Sequence, residues 1–280
     1  MNLRKKIIVG LLMAPMLLNA QNSDSIDVAS LTVVYDYSVR TTDADGVPIT
    51  DAMQLAVQIG HNVTKSFAYS NYLQQTTGEW NADMAFAEAY LHLPAVWHNY
   101  PEGKVTTCEI IIPNEYEGVS DIPVIDWQIS DDTLTIAEHL CHSATATFAG
   151  VTWNVWFTED IATTAGPWKL GGLPGLIMVA TDADSIHSFR FNGMTSKPSS
   201  IIYTQRPEVR KISNAKIVKH RNSIYCNSMY AKNPIYYVPD LLSSTTNVTV
   251  INTDKTPRVL LNGMFLMNEA HVFQPLEFCK

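Results

Sequence analysis

Hydrophobic and polar residues alternate with a period of two along most of the chain. In residues 31–39, Leu31, Val33, Tyr35 and Tyr37 share one parity, which predicts a β-strand with one buried face. Strands that follow one another with short turns between them favour an antiparallel sheet. The same alternation predicts further strands within residues 53–60, 63–70, 104–114, 122–130, 135–150, 151–159, 185–194, 247–254 and 258–268.

Two segments depart from this alternation. Residues 71–93 are rich in Ala, Glu, Gln and Met and stop at Pro94, and residues 208–230 follow Pro207. Both are predicted to be helical. No Pro-rich or Gly-rich linker and no internal repeat divides the sequence. We therefore predict one domain over residues 21–280, of the mainly β (α+β) class. Its curved antiparallel sheet is expected to form a bowl or half-barrel, partly closed by one to three helices.

The segment 151–158 has two faces of different character. Trp153 and Val155 lie on an apolar face, whereas Asn154 and Trp156 lie on a face that is otherwise polar. A tryptophan among polar groups is typical of a surface that contacts a partner. Trp156 and Asn154 are therefore candidate ligand-binding residues.

Residues 1–20 have the pattern of a secretory signal peptide. Arg4, Lys5 and Lys6 precede an apolar run, and Ala20 is a small residue suited to cleavage. The apolar run is short for a membrane span, and no later stretch reaches that length. We expect an exported protein that is periplasmic or secreted. Association with the outer membrane is compatible with either location.

Charge narrows the choice of partners. The 280-residue chain has 19 Lys and Arg against 27 Asp and Glu. Removal of residues 1–20 takes away three of the basic residues and leaves a net charge of −11. An acidic protein is poorly suited to bind nucleic acid or an anionic membrane.

Four cysteines are present, and an even number in an exported chain suggests two disulfides. Three pairings are open, of which we favour Cys108–Cys141 and Cys226–Cys279. The alternative is a soft-metal site, such as one for copper, at His139 and Cys141, which share a face of the predicted strand. It requires a free thiol. The disulfide interpretation is preferred, and no cofactor is expected.

The stretch from Gly166 to Ile177 resembles the signature of the GLPGLI family, exported proteins of Gram-negative bacteria. The matching residues are Trp127 on a preceding strand, then Gly166, Pro167 and Trp168, then the hexapeptide Gly172, Leu173, Pro174, Gly175, Leu176 and Ile177. The family is also similar to the bowl-shaped N-terminal domain of some peptide N-glycosidases. The resemblance implies an accessory domain, and nothing in the sequence resembles a catalytic half.

The motif can also be interpreted physically. Pro174 fixes its own φ, and Gly175 tolerates a positive φ, so Leu173-Pro174-Gly175 is predicted to form a type II turn. Gly171 and Gly172 are expected to allow a close approach of the backbone to another element. Trp168 is expected to fill a gap in the core. The segment contains no nucleophile, acid or base.

These features favour a non-enzymatic binding or accessory protein of the cell envelope. We expect it to present a concave apolar and aromatic face to a peptide, a lipid or a glycan, or to contact an envelope protein. One alternative is a hydrolase whose catalytic residues come from distant segments. The other is the metal-binding protein described above. No catalytic residue is assigned from the sequence.

Overall fold

The computed structural model describes residues 22–278 except 44, 80, 82–83, 85–90, 112–113, 227–234, 238–247, 253–256, 262–263 and 267–270. The strands are β1 (Asn22–Ala29), β2 (Leu31–Thr42), β3 (Pro48–Ile59), β4 (Thr64–Ala68), β5 (Ala95–His98), β6 (Lys104–Ile111), β7 (Asn114–Asp121), β8 (Gln128–Ile136), β9 (His139–Phe148), β10 (Val151–Thr158), β11 (Leu176–Asp182), β12 (His187–Thr195), β13 (Ser199–Gln205), β14 (Arg210–Lys211), β15 (Ile235–Tyr237), β16 (Val248–Asn252), β17 (Pro257–Leu261) and β18 (Met264–Leu266). The helices are α1 (Tyr69–Thr77) and α2 (Asn214–Tyr225).

Twelve strands form one sheet in the order β14-β7-β6-β5-β4-β3-β2-β12-β11-β10-β9-β8. The mainly β fold is confirmed, and the sheet is open rather than closed into a barrel. It is mixed rather than wholly antiparallel, because β14 pairs with β7 in parallel. Strands β1 and β13 form a separate pair, and β15 to β18 form a four-stranded sheet in which the strands predicted within 247–254 and 258–268 pair with each other.

The two halves of the large sheet meet where β2 pairs with β12. Tyr37 lies opposite Phe189 in this register, and their rings stack with centroids 4.3 Å apart. The Tyr37 hydroxyl is 2.9 Å from Nδ1 of His187, whose burial lowers its pKa to about 4. The imidazole is therefore neutral near pH 7, and it shares a hydrogen bond with the Tyr37 hydroxyl.

One face of this sheet, here called the covered face, carries the main core. Its alternating side chains include Val33, Tyr35, Leu55 and Trp153, all fully buried. Two parts of the chain cover this face: the segment 164–177, and a strap formed by residues 271–278, whose Leu276 is also buried in the core. The chain itself therefore fills the apolar side of the sheet, and a concave apolar face presented to a ligand stays a prediction.

The opposite face is covered only in part. Strands β1 and β13 pack over β4 to β6, where Ile201 and Tyr203 of β13 contact Trp97. The ammonium of Lys65 is enclosed there, 3.1 Å from the carbonyl oxygen of Ile202 and over the Phe67 ring. Burial lowers the Lys65 pKa to about 8. Within the described part of the chain, several side chains of β2, β10 and β12 on this side are exposed, among them Asp36, Asn154 and Arg190. We call this side of β2 and β9 to β12 the open face.

Both predicted helical segments contain a helix. Helix α1 covers the beginning of the predicted 71–93 segment, most of the rest of which lies outside the described residues. Helix α2 begins at Asn214 rather than near Pro207, because the Ser213 side chain accepts a hydrogen bond from the Lys216 amide and caps it. Within the described part of the chain, no helix is long and apolar enough to span a membrane.

A buried ion network joins the covering segments to the sheet. The Lys169 ammonium lies 2.8 and 2.9 Å from the two carboxylate oxygens of Glu277 on the strap. Arg221 of α2 lies 3.6 Å from the same carboxylate and 3.1 Å from Glu109 of β6. Burial raises the pKa of Glu109 to about 7 despite the nearby guanidinium. Four elements distant in sequence therefore share one set of charges.

This network predicts a large difference between a buried and an exposed ion pair. Glu277→Gln leaves Lys169 and Arg221 short of a buried counterion, and should lower the free energy of unfolding by about 3–5 kcal/mol. Asp121→Asn breaks the exposed pair with Lys104 and should leave the urea midpoint almost unchanged. Urea denaturation at pH 7.5 measures both. Equal shifts would contradict a special role for the buried network.

Candidate functional site

The segment that resembles the family signature lies across the covered face and is fixed to two strands. Trp168 is 1% exposed, and its ring contacts those of Trp153 and Phe148. Its backbone amide donates to Ser66 Oγ on β4 at 2.9 Å. Its carbonyl oxygen accepts a hydrogen bond of 2.9 Å from Nε2 of His98 on β5. Trp168 therefore fills the core where the segment crosses the sheet.

The glycines of the hexapeptide have roles opposite to those predicted. Gly172 has the positive φ, +88°, whereas Gly175 has none. A Cβ on Gly175 would lie 2.0 Å from the carbonyl oxygen of Thr158 on β10. The Gly175 amide bonds to the Leu173 carbonyl oxygen at 2.8 Å, which closes a three-residue turn rather than a type II turn. Gly175 is therefore needed for the close approach to β10. Gly172 is needed for the positive φ of the residue that precedes the turn.

The other motif residues surround this corner. Trp127, which precedes β8, donates from Nε1 to the Gly171 carbonyl oxygen at 2.9 Å. Leu173 is buried, and Leu176 and Ile177 begin β11 within the core. Gly166 and Pro167 precede the buried Trp168 and are themselves buried. The geometry of the segment is that of a packed corner.

The predicted disulfide Cys108–Cys141 is wrong. Cys108 lies on β6 and Cys141 on β9, with seven strands between them in the sheet, so the two thiols cannot meet. Among the described residues Cys108, Cys141 and Cys226 are free thiols. Cys279, the other half of the second predicted pair, lies outside the described residues.

The free thiol of Cys141 does not form a metal site with His139 in this structure. Cys141 is fully buried, and its Sγ contacts the backbone carbonyl oxygen of His139 at 3.5 Å. Nδ1 of His139 lies 3.2 Å from Oδ2 of Asp160. Within the described part of the chain, no group of three or more His, Cys, Asp or Glu side chains is arranged to hold a metal ion.

Asn154 and Trp156 lie on the open face, as the alternation predicts. Trp153, Val155 and Phe157 of the same strand are buried on the other side. Asn154 is exposed and Trp156 is half-buried. The Trp156 side chain is therefore only partly accessible, and it packs against the main core.

Neighbouring strands extend this site into two rows across the sheet. Asn154 lies between Thr145 of β9 and Thr181 of β11, and Trp156 lies between Ser143 and Val179 of the same two strands. Both rows continue into β12 and β2. The first ends in Ser188 and Ser38, and the second ends in Arg190 and Asp36. Asp36 accepts hydrogen bonds from Gln54 and Asn192.

The partners of Trp156 could not be predicted from the sequence. Ser143 and Thr145 belong to a segment correctly predicted as a strand, but the sequence does not reveal which residue of β9 lies opposite which residue of β10. Arg190 and Asp36 are separated by 154 positions and meet only because β12 pairs with β2. Alternation gives the face of each strand, and register decides which side chains are neighbours.

No family model matches the chain, and no curated protein matches it. Among solved structures, the chain is similar to PNGF-II, a peptide N-glycosidase, in two crystal forms. The C2 form has a TM-score of 0.42 and 11% identity, covering 81% of this chain and 40% of that one. The P21 form has a TM-score of 0.43 and 11% identity, covering 78% and 38%.

The chain therefore spans about 40% of the length of the structures that it matches. These values describe a weak structural similarity to PNGF-II. The expected likeness to a peptide N-glycosidase is seen at that coarse level. Membership of the GLPGLI family stays a prediction.

The packed corner predicts unequal tolerance of alanine at two glycines. Gly175→Ala places a methyl group against the Thr158 backbone, which cannot move without shifting β10, so it should cost about 3 kcal/mol. Gly193→Ala is the control, because a Cβ there meets nothing within 4 Å and φ is not positive. Thermal and urea unfolding compare the two variants. A neutral Gly175→Ala would contradict the close approach.

Proposed function

We propose that this protein is a non-enzymatic binding protein of the cell envelope, which holds a neutral glycan on the open face around Trp156. The observation that carries the proposal is the set of uncharged hydrogen-bonding side chains beside a half-exposed indole. Ser143, Thr145, Asn154 and Thr181 surround Trp156 on three adjacent strands.

The chemistry of these groups suits a sugar chain. The face of an indole ring carries partial negative charge and attracts the polarised C–H groups on one side of a pyranose ring. Hydroxyl and amide side chains donate and accept, so they can match the hydroxyls at the edge of that ring. The side chains in each row belong to rigid strands, which lowers the entropy lost on binding.

The charges on the open face favour a neutral ligand over an anionic one. The Trp156 row ends in one arginine and one aspartate, Arg190 and Asp36, and no charged residue lies directly beside Trp156. A lipid would need a larger apolar surface than one indole and Val179 provide. Nucleic acid and anionic lipids are disfavoured by the acidic composition.

We also propose that the protein is an exported member of the GLPGLI family and acts in the periplasm or at the outer surface. Export is supported by the signal-peptide pattern of residues 1–20. Membership is supported by the intact hexapeptide and by its context in the fold, where its last two residues, Leu176 and Ile177, begin the buried strand β11.

The binding proposal predicts that Trp156→Ala weakens glycan binding. The mature protein is mixed with insoluble cellulose, chitin and starch, and the depletion of protein from solution is measured. We expect retention on at least one polymer, with affinity lowered about tenfold or more in Trp156→Ala, because removal of a central aromatic contact is costly. Thr145→Val should give a smaller loss.

Leu134→Ala is the control for Trp156→Ala. Leu134 is a partly exposed apolar side chain on the edge strand β8, outside both rows. It should bind the polymer as the unaltered protein does. Retention on none of the three polymers, or equal retention of Trp156→Ala, would overturn the proposed glycan site.

The export proposal predicts cleavage after Ala20. Expression of the full sequence in a Gram-negative host, followed by cell fractionation and intact-mass measurement, should show a protein that begins at Gln21 outside the cytoplasm. Replacement of Leu11 and Leu12 by Asp interrupts the apolar run and should retain the uncleaved chain in the cytoplasm. Uncleaved cytoplasmic protein from the unaltered sequence would contradict export.

A further inference from the structure

A pocket of about 250 Å³ lies at the rim of the covered face. It is found where residues 164–177, here called the signature segment, cross β4 and β5. Its lining includes three polar residues, Asn62, Thr64 and His98, here called the polar wall, and three apolar residues, Ile122, Pro123 and Ile125. Residues 164–166 and 169–172 of the signature segment also line the pocket. The pocket is separate from the open face.

The polar wall is built by strand pairing. Thr64 and His98 lie directly opposite each other in the β4–β5 register. Nε2 of His98 donates to the Trp168 carbonyl oxygen, and burial lowers the His98 pKa. The imidazole is therefore neutral near pH 7 with its proton on Nε2, which leaves Nδ1 as an acceptor for a ligand hydroxyl.

Asn62 completes the polar wall. Its carbonyl oxygen accepts from Nδ2 of Asn99, whose Oδ1 accepts from the Gly103 amide, so the turn is fixed by its backbone. The side-chain amide of Asn62 and the hydroxyl of Thr64 make no hydrogen bond within the described part of the chain. Both groups can donate and accept.

The pocket presents no net charge to a ligand. Lys169 is the charged residue of its lining, and both oxygens of the Glu277 carboxylate neutralise its ammonium. An anionic ligand would have to compete with that buried pair, and a cationic ligand would meet no free carboxylate among the lining residues. The volume lies just below the range of about 300–1,000 Å³ that is typical of drug-sized ligands, so it suits one small ring.

From this geometry we propose that the pocket is a second ligand site, which binds a single neutral sugar ring. The ring hydroxyls bond to Asn62, Thr64 and His98, and its C–H face lies against Ile122, Pro123 and Ile125. This site differs from the proposed glycan site on the open face in two ways. It lies on the other side of the sheet, and it would bind a free sugar or the terminal sugar of a chain rather than the surface of a polymer.

The test uses glucose, galactose, mannose and N-acetylglucosamine as neutral probes, with glucuronate and glucosamine as charged analogues. Binding at pH 7.5 is measured by saturation-transfer NMR and by titration. We expect at least one neutral sugar to bind more tightly than either charged analogue. Thr64→Val keeps the shape of the side chain but removes the hydroxyl, and should weaken that binding about fivefold to tenfold. Asn62→Trp should abolish it by filling the mouth of the pocket.

Thr145→Val is the matched control, because it makes the same chemical change on the open face. It should leave monosaccharide binding unchanged, whereas Thr64→Val should leave retention on polymers unchanged. Failure of one site therefore does not imply failure of the other. Thermal unfolding confirms that each variant is folded. Two results would overturn the proposal. One is that no neutral sugar binds at a concentration of about 50 mM. The other is that Thr64→Val and Asn62→Trp bind the sugar as tightly as the unaltered protein does.

Discussion

Four buried ionisable side chains link the segments that cover one side of the sheet. Lys169, Glu277, Arg221 and Glu109 come from the signature segment, the strap, α2 and β6. A buried charge without a partner is costly, so each of these elements can be buried only when the others are in place. The apolar core alone does not specify this arrangement, because hydrophobic contact is not directional. The ion network adds a directional constraint on how these segments cover the sheet.

The same arrangement explains where the two proposed ligand surfaces lie. A bowl-like apolar face would be a natural ligand site, but here Trp168, Leu173 and Leu276 fill it. Within the described part of the chain, the polar side of β9 to β12 and a small recess at the rim are accessible. Both surfaces offer uncharged hydrogen-bonding groups beside an apolar patch, which is the combination that a sugar requires. The apolar motif therefore supports the candidate sites by its packing, and its backbone forms part of one of them.

The sequence was informative about strands and less so about their partners. Alternation located β2 and β10 and assigned Trp153 and Trp156 to opposite faces, because side-chain direction in a strand is a local property. The pairing of β2 with β12 and the distance between Cys108 and Cys141 depend on the order of strands in the sheet, which local pattern does not encode. The predicted roles of Gly172 and Gly175, a close approach and a positive φ, are the reverse of the observed ones for a similar reason. Nothing near Gly175 in the sequence shows that the Thr158 carbonyl will lie against it.

The pairing of β2 with β12 has a consequence for how the chain folds. About 150 residues separate the partners in this pairing, as between Tyr37 and Phe189, and the strap that closes the core comes later still. Closing such a long loop is entropically unfavourable until the contacts that it permits have formed, so folding is expected to be slow. Until the later segments have folded, the apolar faces of the early strands stay exposed to solvent. During that interval the chain is vulnerable to aggregation and accessible to chaperones.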